Sequence, residues 1–370
     1  MRKPKLAILA VAVLFVCNFL FVSCGKDKIT QIEEQSGDYD LLYIHAGGGL
    51  NVPLNSLRFS TKTCEVSDTM KTPYVIDDLQ FTRNGTMAVL NIWDQFTGAP
   101  SVISINYPSM DTIGLRESVG GNKIYYSPDE QAVLTCGGSQ LSILTFPDLT
   151  PILIQTVNNY EGGFLTSGDS AFYLVSGIDS IFIVDYSDRQ NITITTNTIG
   201  SISGGGTMPG PCVVDYENKR LILVSNYNDE KSYIHILNSN DLSLIQFLVV
   251  NRLYNGTPGV RPESNEIYFK LSGLLGDNNS NYMDIYDVGS NTLKTYINFN
   301  NISFTGYSLP HQIEFTPDGR TIYVSMGSNQ YAHYSVLEFR PGNVELVHEL
   351  GPDHNAHGYL IRINPIDKSK

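Results

Sequence analysis

The stretch PHQIEFTPDGRTIYVSMGSN (310–329) holds two apolar segments on either side of Pro317-Asp318-Gly319 and ends in small residues. Proline presets the first turn position, and Asp or Gly tolerates the positive φ that a tight hairpin needs. The stretch therefore predicts two antiparallel strands joined by a short turn. Its second strand, TIYVSMGS (321–328), has six counterparts upstream: LLYIHAGG (41–48), MAVLNIWD (87–94), QAVLTCGG (131–138), AFYLVSGI (171–178), RLILVSNY (220–227) and EIYFKLSG (266–273).

Anchored on Tyr43, Val89, Val133, Tyr173, Ile222, Tyr268 and Tyr323, these runs step by 46, 44, 40, 49, 46 and 55 residues. Steps of that size with strand chemistry predict propeller blades, whereas helical repeats would carry a 3.6 period. Six of the runs follow another apolar segment and a turn, as at Arg83-Asn84-Gly85 and Glu217-Asn218-Lys219. After each run come a loop and a second hairpin, such as SYIHILNSNDLSLIQFLVV (232–250). Each unit is thus expected to be a four-stranded antiparallel sheet. The first run lacks an inner strand, while GYLIRINP (358–365) is a surplus strand at the end of the chain. The expectation is an all-β, seven-bladed β-propeller over 39–370, closed by its C-terminal strand so that no sheet edge is left between first and last blades. Eight blades, or six with one degenerate unit, are the alternatives.

Arg2, Lys3 and Lys5 precede an uncharged run, 6–22, and Ser23-Cys24 follows at once. This pattern predicts a lipoprotein signal peptide over 1–23, lipidation of Cys24 and a flexible tether over 24–38. A single transmembrane anchor is the alternative, because the apolar run reaches only the lower limit for spanning. Cys64, Cys136 and Cys212 would then remain as an odd set without disulfide or zinc spacing, expected to be buried thiols. The net charge of −13 argues against nucleic acid and against a polyanion held by charge alone.

The 310–329 stretch resembles the repeat of YVTN-type propellers, with YLVS (173–176) and ILVSN (222–226) as weaker echoes. Lys26-Asp27-Lys28 resembles the charged export signal of surface lipoproteins of Bacteroidota. Propeller, lipobox and Asn/Tyr-rich composition together make the chain similar to the surface propeller lipoproteins of that phylum. Some of these capture corrinoids such as cobalamin and pass them to an outer-membrane transporter. The resemblance implies a cell-surface location on the outer membrane, a membrane contact through the N-terminal lipid and a transporter as partner. It specifies architecture better than function, since propellers host binding proteins, hydrolases and scaffolds alike.

Blade geometry assigns each loop to a face. With strands running a to d from axis to rim, the short a–b turns share one face, and the longer b–c and d–a loops share the other. Function usually resides on variable loops held by a rigid scaffold, which selects the second face. His45, His311, His333, His354 and His357 map there, as does Trp93, the only tryptophan, with Asp94 beside it. Tyr227, Tyr254, Tyr307 and Tyr331 lie in loops of the same face, with Asn226 among the nearby amides. Aromatics interleaved with amides suit a large, neutral, polar ligand such as a corrinoid or a glycan. The histidines match no zinc signature, so neither a metal nor a cofactor is expected. The bland reading of His311 is a hydrogen bond between blades, and Tyr and Asn are abundant throughout. No G-x-S-x-G elbow is present, and the leading expectation is a non-catalytic capture protein. A lactonase-like hydrolase is the enzymatic alternative, because Pro310-His311-Gln312-Ile313 resembles the inner strand of seven-bladed lactonases. There His311 would be a general base, with Arg261 or Arg362 stabilising an oxyanion. A protein-interaction scaffold of the cell envelope is the third possibility.

Overall fold

The computed structural model describes residues 37–46, 54–63, 66–72, 75–93, 99–119, 121, 123–127, 129–137, 140–156, 160–165, 171–176, 180–185, 188, 190–198, 209–227, 231–254, 257–270, 282–299, 309–327, 335–341, 346–350 and 357–368. Within them the chain is almost wholly β. The first strands are β1 (Asp40–Ala46), β2 (Leu54–Ser60) and β3 (Val66–Thr72), followed by β4 (Val75–Phe81), β5 (Met87–Trp93), β6 (Pro100–Asn106) and β7 (Thr112–Glu117). Next come β8 (Lys123–Tyr126), β9 (Ala132–Gly137), β10 (Gln140–Thr145) and β11 (Pro151–Thr156), then β12 (Tyr160–Leu165), β13 (Ala171–Ser176), β14 (Ser180–Asp185) and β15 (Thr193–Thr198). The fifth unit holds β16 (Pro209–Asp215), β17 (Arg220–Tyr227), β18 (Lys231–Asn238) and β19 (Leu244–Val250). The sixth holds β20 (Gly259–Val260), β21 (Glu266–Lys270), β22 (Tyr282–Asp287) and β23 (Thr292–Asn298). Last are β24 (Leu309–Phe315), β25 (Ile322–Gly327), β26 (Ser335–Phe339), β27 (Leu346–Leu350) and β28 (His357–Ile363).

These strands pair into seven four-stranded sheets, six of them sequential and one in the order β28-β1-β2-β3. The surplus C-terminal strand lies antiparallel to β1, with Leu42 opposite Arg362 and Ile44 opposite Leu360. The innermost strands then touch in a closed cycle, β28 to β4, β8, β12, β16, β20, β24 and back to β28. The chain is therefore a β-propeller. Its sheets are sealed by apolar residues that interdigitate between neighbours. Ile76, Leu79, Leu90 and Ile92 meet Leu42, Ile44 and Leu360 of the closing sheet. Tyr268, Met283 and Ile285 likewise meet Ile322, Val324 and Leu337. Each such side chain contributes roughly 1.5–3 kcal/mol when fully buried.

Gly37 and Asp38, counted in the tether from sequence, are tied into the propeller. The Gly37 amide donates to Asp318 Oδ2 at 2.9 Å and the Asp38 amide to Asp367 Oδ1 at 3.0 Å. The Lys368 amide donates to Asp38 O at 2.7 Å, and the Asn364 amide to Asp40 O at 2.8 Å. Both ends of the ring are thus fastened to one another, and Gly37 also reaches the turn between β24 and β25 of the adjoining sheet.

On the face of the a–b turns, one sheet is joined to the next by polar contacts. The Arg83 amide donates to Glu130 Oε1 at 2.6 Å, and the Glu263 amide to Glu217 Oε2 at 2.5 Å. Asn218 Nδ2 reaches Ser264 O at 2.9 Å, Arg261 Nε reaches Gly319 O at 3.1 Å, and Asn364 Nδ2 reaches Gly85 O at 2.8 Å. Gly85 needs to be glycine twice over. Its φ is +62°, and an added Cβ would stand 2.3 Å from Asn364 Oδ1.

Candidate functional site

The face opposite these turns is where the inner strands begin. Several of those strands carry a bulge near this end. Between β4 and β5 the register shifts from Ile76 to Asp78, leaving Asp77 as the extra residue. Between β24 and β25 it shifts from Pro310 to Gln312, leaving His311 extra. Similar shifts occur between Tyr160 and Gly163 of β12 and between Pro209 and Cys212 of β16. A bulge releases one residue from the ladder and re-aims it, and such devices concentrate beside functional sites. Here it recurs around one mouth of the ring.

Below the mouth sits a charged cluster shared by inner strands of several sheets. Arg362 Nη2 donates to Asp78 Oδ1 at 2.6 Å, its Nη1 pairs with Glu314 Oε1, and its Nε donates to Leu79 O at 2.7 Å. Asp78 is almost fully buried, at 1% exposure, and its Oδ2 accepts the Ile124 amide at 3.0 Å. Gln312 completes the belt: Nε2 donates to Glu314 Oε1 at 2.8 Å, and Oε1 accepts the Ile361 amide at 3.0 Å. One arginine on β28 therefore ties β24 to β4, and Asp78 extends the tie to β8. Burial opposes the Arg362 charge, but Asp78 and Glu314 outweigh it and hold the guanidinium firmly protonated.

Three further ionisable groups line this interior. Burial pushes the Asp77 carboxyl up to about 6, helped by the Asp78 charge and opposed by Lys123. Lys270, at the end of β21, is 7% exposed, and burial with the Lys123 charge pulls its amine down to about 7. The Lys123 charge also acts on Glu314, Cys136 and Cys212. Cys136 and Cys212 themselves lie in apolar clusters of the sheets, Cys136 with Leu134, Leu141 and Val184 and Cys212 with Val214, Leu221 and Leu237. Cys136 and Cys212 are buried unpaired thiols, each pushed up to about 12 by burial. Among the described residues no cluster of three or more His, Cys, Asp or Glu could hold a metal ion.

The residues singled out from sequence fall into three groups. Trp93 ends β5 on the mouth face at 37% exposure. His45, Asn226, Tyr227, His311 and His357 lie in β1, β17, β17, β24 and β28, at the strand ends or bulges of this same face, but their side chains fall outside those described. Asp94, Tyr307, Tyr331, His333 and His354 lie outside the described residues altogether, as do the lipidation site Cys24 and the segment before it. Tyr254 needs correction. It is a core residue at 1% exposure, stacked on Phe269 with centroids 4.9 Å apart, and its hydroxyl donates to Asp284 Oδ2 at 2.8 Å.

The two arginines of the hydrolase alternative are also placed. Arg261 sits on the turn face, pairing with Glu266 at 2.8 Å, away from the strand end that carries His311. Arg362 lies in the interior with both its acidic partners. Sequence reasoning missed Asp77, Asp78, Lys123, Lys270, Gln312 and Glu314. The signal was there for the acidic pair: Val75-Ile76-Asp77-Asp78-Leu79 breaks the polar-apolar alternation of a strand. For Lys123 and Lys270 there was none, because only the packing of the sheets buries Lys270.

Comparison with known proteins supports the fold. No family model matches the chain, and no curated protein matches it. Among solved structures, a provisional 6-phosphogluconolactonase from Bacteroides uniformis is 13% identical, with 89% of this chain and 100% of that one covered at a TM-score of 0.63. Its counterpart from Bacteroides fragilis is 12% identical, with coverages of 91% and 99% and a TM-score of 0.62. A protein of unknown function from Desulfotomaculum acetoxidans is 15% identical, with coverages of 87% and 98% and a TM-score of 0.63. At such identities the likeness is one of fold.

Proposed function

We propose that this chain is a seven-bladed, lipid-anchored capture protein of the outer membrane that takes an extracellular ligand on the mouth face and hands it to a transporter. The observation that carries the reading is the difference between the two faces. One is knitted shut by short turns bonded from sheet to sheet. The other gathers the bulged positions Asp77 and His311, the partly exposed Trp93 and the longest connections between strands, 199–208, 271–281 and 299–308, the arrangement expected of a binding face on a rigid scaffold. A corrinoid such as cobalamin is the ligand we favour, because it is large and mostly neutral, and because the sequence resembles corrinoid-capturing lipoproteins. A glycan is the competing ligand.

Isothermal titration of the full chain in detergent against cyanocobalamin, with heparin and a neutral glycan as controls, tests this. One-to-one binding to the corrinoid alone, weakened by Trp93→Ala or His311→Ala, is the expected result. Silence with all three ligands sinks it.

Lactonase-like hydrolysis is the second reading, favoured by the bulge at His311 and by the names of two structural neighbours. Its weakness is electrostatic. Arg362 is already balanced by two carboxylates, and Arg261 stands on the other face, so neither is placed to meet an oxyanion beside His311. Lactone hydrolysis above background that disappears in His311→Ala would restore this reading.

A further inference from the structure

The rim strand of the fifth sheet differs from those of the other sheets. β19 (LIQFLVV) carries neither charge nor proline. Its counterparts have Asp68 and Lys71 in β3, Arg116 and Glu117 in β7, Pro151 in β11, Lys294 in β23 and Glu349 in β27, while β15 is mostly threonine. Charges and proline on a rim strand keep other chains from pairing with it, and β19 lacks that protection. It is also open to water: Leu244 is 59%, Ile245 48%, Phe247 44% and Val249 51% exposed. Ile245, Phe247 and Val249 alternate along one face. Phe247 is braced there, its ring centroid 4.7 Å from that of His235 and 5.9 Å from that of Tyr233, both on β18. Among the described residues β18 is the only strand paired with β19, so the outer edge of the β19 backbone has no ladder partner.

We propose that this edge binds the same edge of a second copy, antiparallel about a two-fold axis at Phe247, so that two four-stranded sheets become one of eight strands. The strand's own pattern identifies the occupant. In that register Phe247 meets its twin, Ile245 of one copy lies opposite Val249 of the other, and Leu244 lies opposite Val250, so the exposed apolar face is matched by itself. The flanking charges agree. Asp241 precedes the strand, and Arg252, its side chain 43% exposed although it pairs with Asp284, follows it. An antiparallel partner sets the acidic end of one strand beside the basic end of the other, whereas a parallel one aligns like with like. The contact uses up both edges, so assembly closes at two copies. One strand from each copy makes a small interface, near or below the roughly 1,200 Å² of stable complexes, and the expected affinity is on the order of micromolar. The rim lies apart from the mouth face, and the inference does not depend on what binds there.

The test is sedimentation equilibrium of the full chain in density-matched detergent, over a concentration series of about 1 to 100 μM. A reversible monomer–dimer equilibrium is expected. Ile245→Glu and Val249→Lys, both at exposed positions, should each keep the parent's melting temperature and weaken dimerisation about tenfold or more. The double variant, Ile245→Glu with Val249→Lys, should recover most of the loss, because each glutamate then faces a lysine of the other copy. That rescue is specific to the antiparallel register, and a merely structural role for either residue would not produce it. A monomer at every concentration, open-ended association, or a Val249→Lys variant that dimerises like the parent overturns the proposal. So does a double variant that associates no better than the single ones.

Discussion

Individual residues report the polarity of the interior. The Asp77 carboxyl, pushed up to about 6, is held above its ordinary value of 3.8 by burial and by Asp78, against the pull of Lys123. For an acid raised in this way, the folded state binds a proton that the unfolded chain has released. Its contribution is complete below about pH 4 and is lost as pH rises through about 6. Asp77→Asn should therefore stabilise the protein above about pH 6 and leave it unchanged below about pH 4, which denaturant unfolding at the two ends of that range will show. The thiols respond to the same burial. Cys136 and Cys212, held up near 12, should resist iodoacetamide at neutral pH in the native protein and react once it is unfolded, as site-resolved mass spectrometry can read. Their burial was legible from the apolar strands around them. The burial of Lys270 was not, since nothing in local sequence says that the end of β21 will be closed off from water.

At the scale of the strand, legibility was high, because blade units repeat and period needs no tertiary information. The seven anchor runs all became second strands, and the surplus segment after residue 357 became the strand that closes the ring. Tyr254 went the other way. Its setting between polar residues reads as loop, yet closure of the sheets buries it beside Phe269 and gives its hydroxyl a carboxylate. The role of β28 is chemical as well as topological, because its Arg362 joins Asp78 and Glu314 from the sheets on either side. Removing that guanidinium leaves Asp78 buried and unpaired. Arg362→Met should cost about 3–5 kcal/mol by denaturant unfolding. Asp78→Asn in the same background should recover part of the loss, because the two effects share one interaction. Additive losses would mean that the pair does not couple the sheets.

Over the whole molecule, the two faces of the ring differ in how they are bonded. Turn-to-turn bonding from Asn364 through Gly85, Arg83 and Glu130, and again from Glu217 to Gly319, fastens one face. The sheets are thereby fixed at that end, and the opposite mouth is the face proposed for binding. A rigid frame of this kind lowers the ordering cost of binding. The division also explains why the ligand could not be read from sequence: the mouth is assembled from strand ends and loops of every blade, each with its own spacing. The claim that the mouth face is the binding face is tested most directly by hydrogen–deuterium exchange of the full chain, with and without saturating cyanocobalamin. The account predicts slowed exchange at the end of β5 around Trp93 and at the start of β24 around His311, with the turns at 82–86 and 316–321 unchanged. Slowed exchange confined to those turns, or none anywhere, would contradict it.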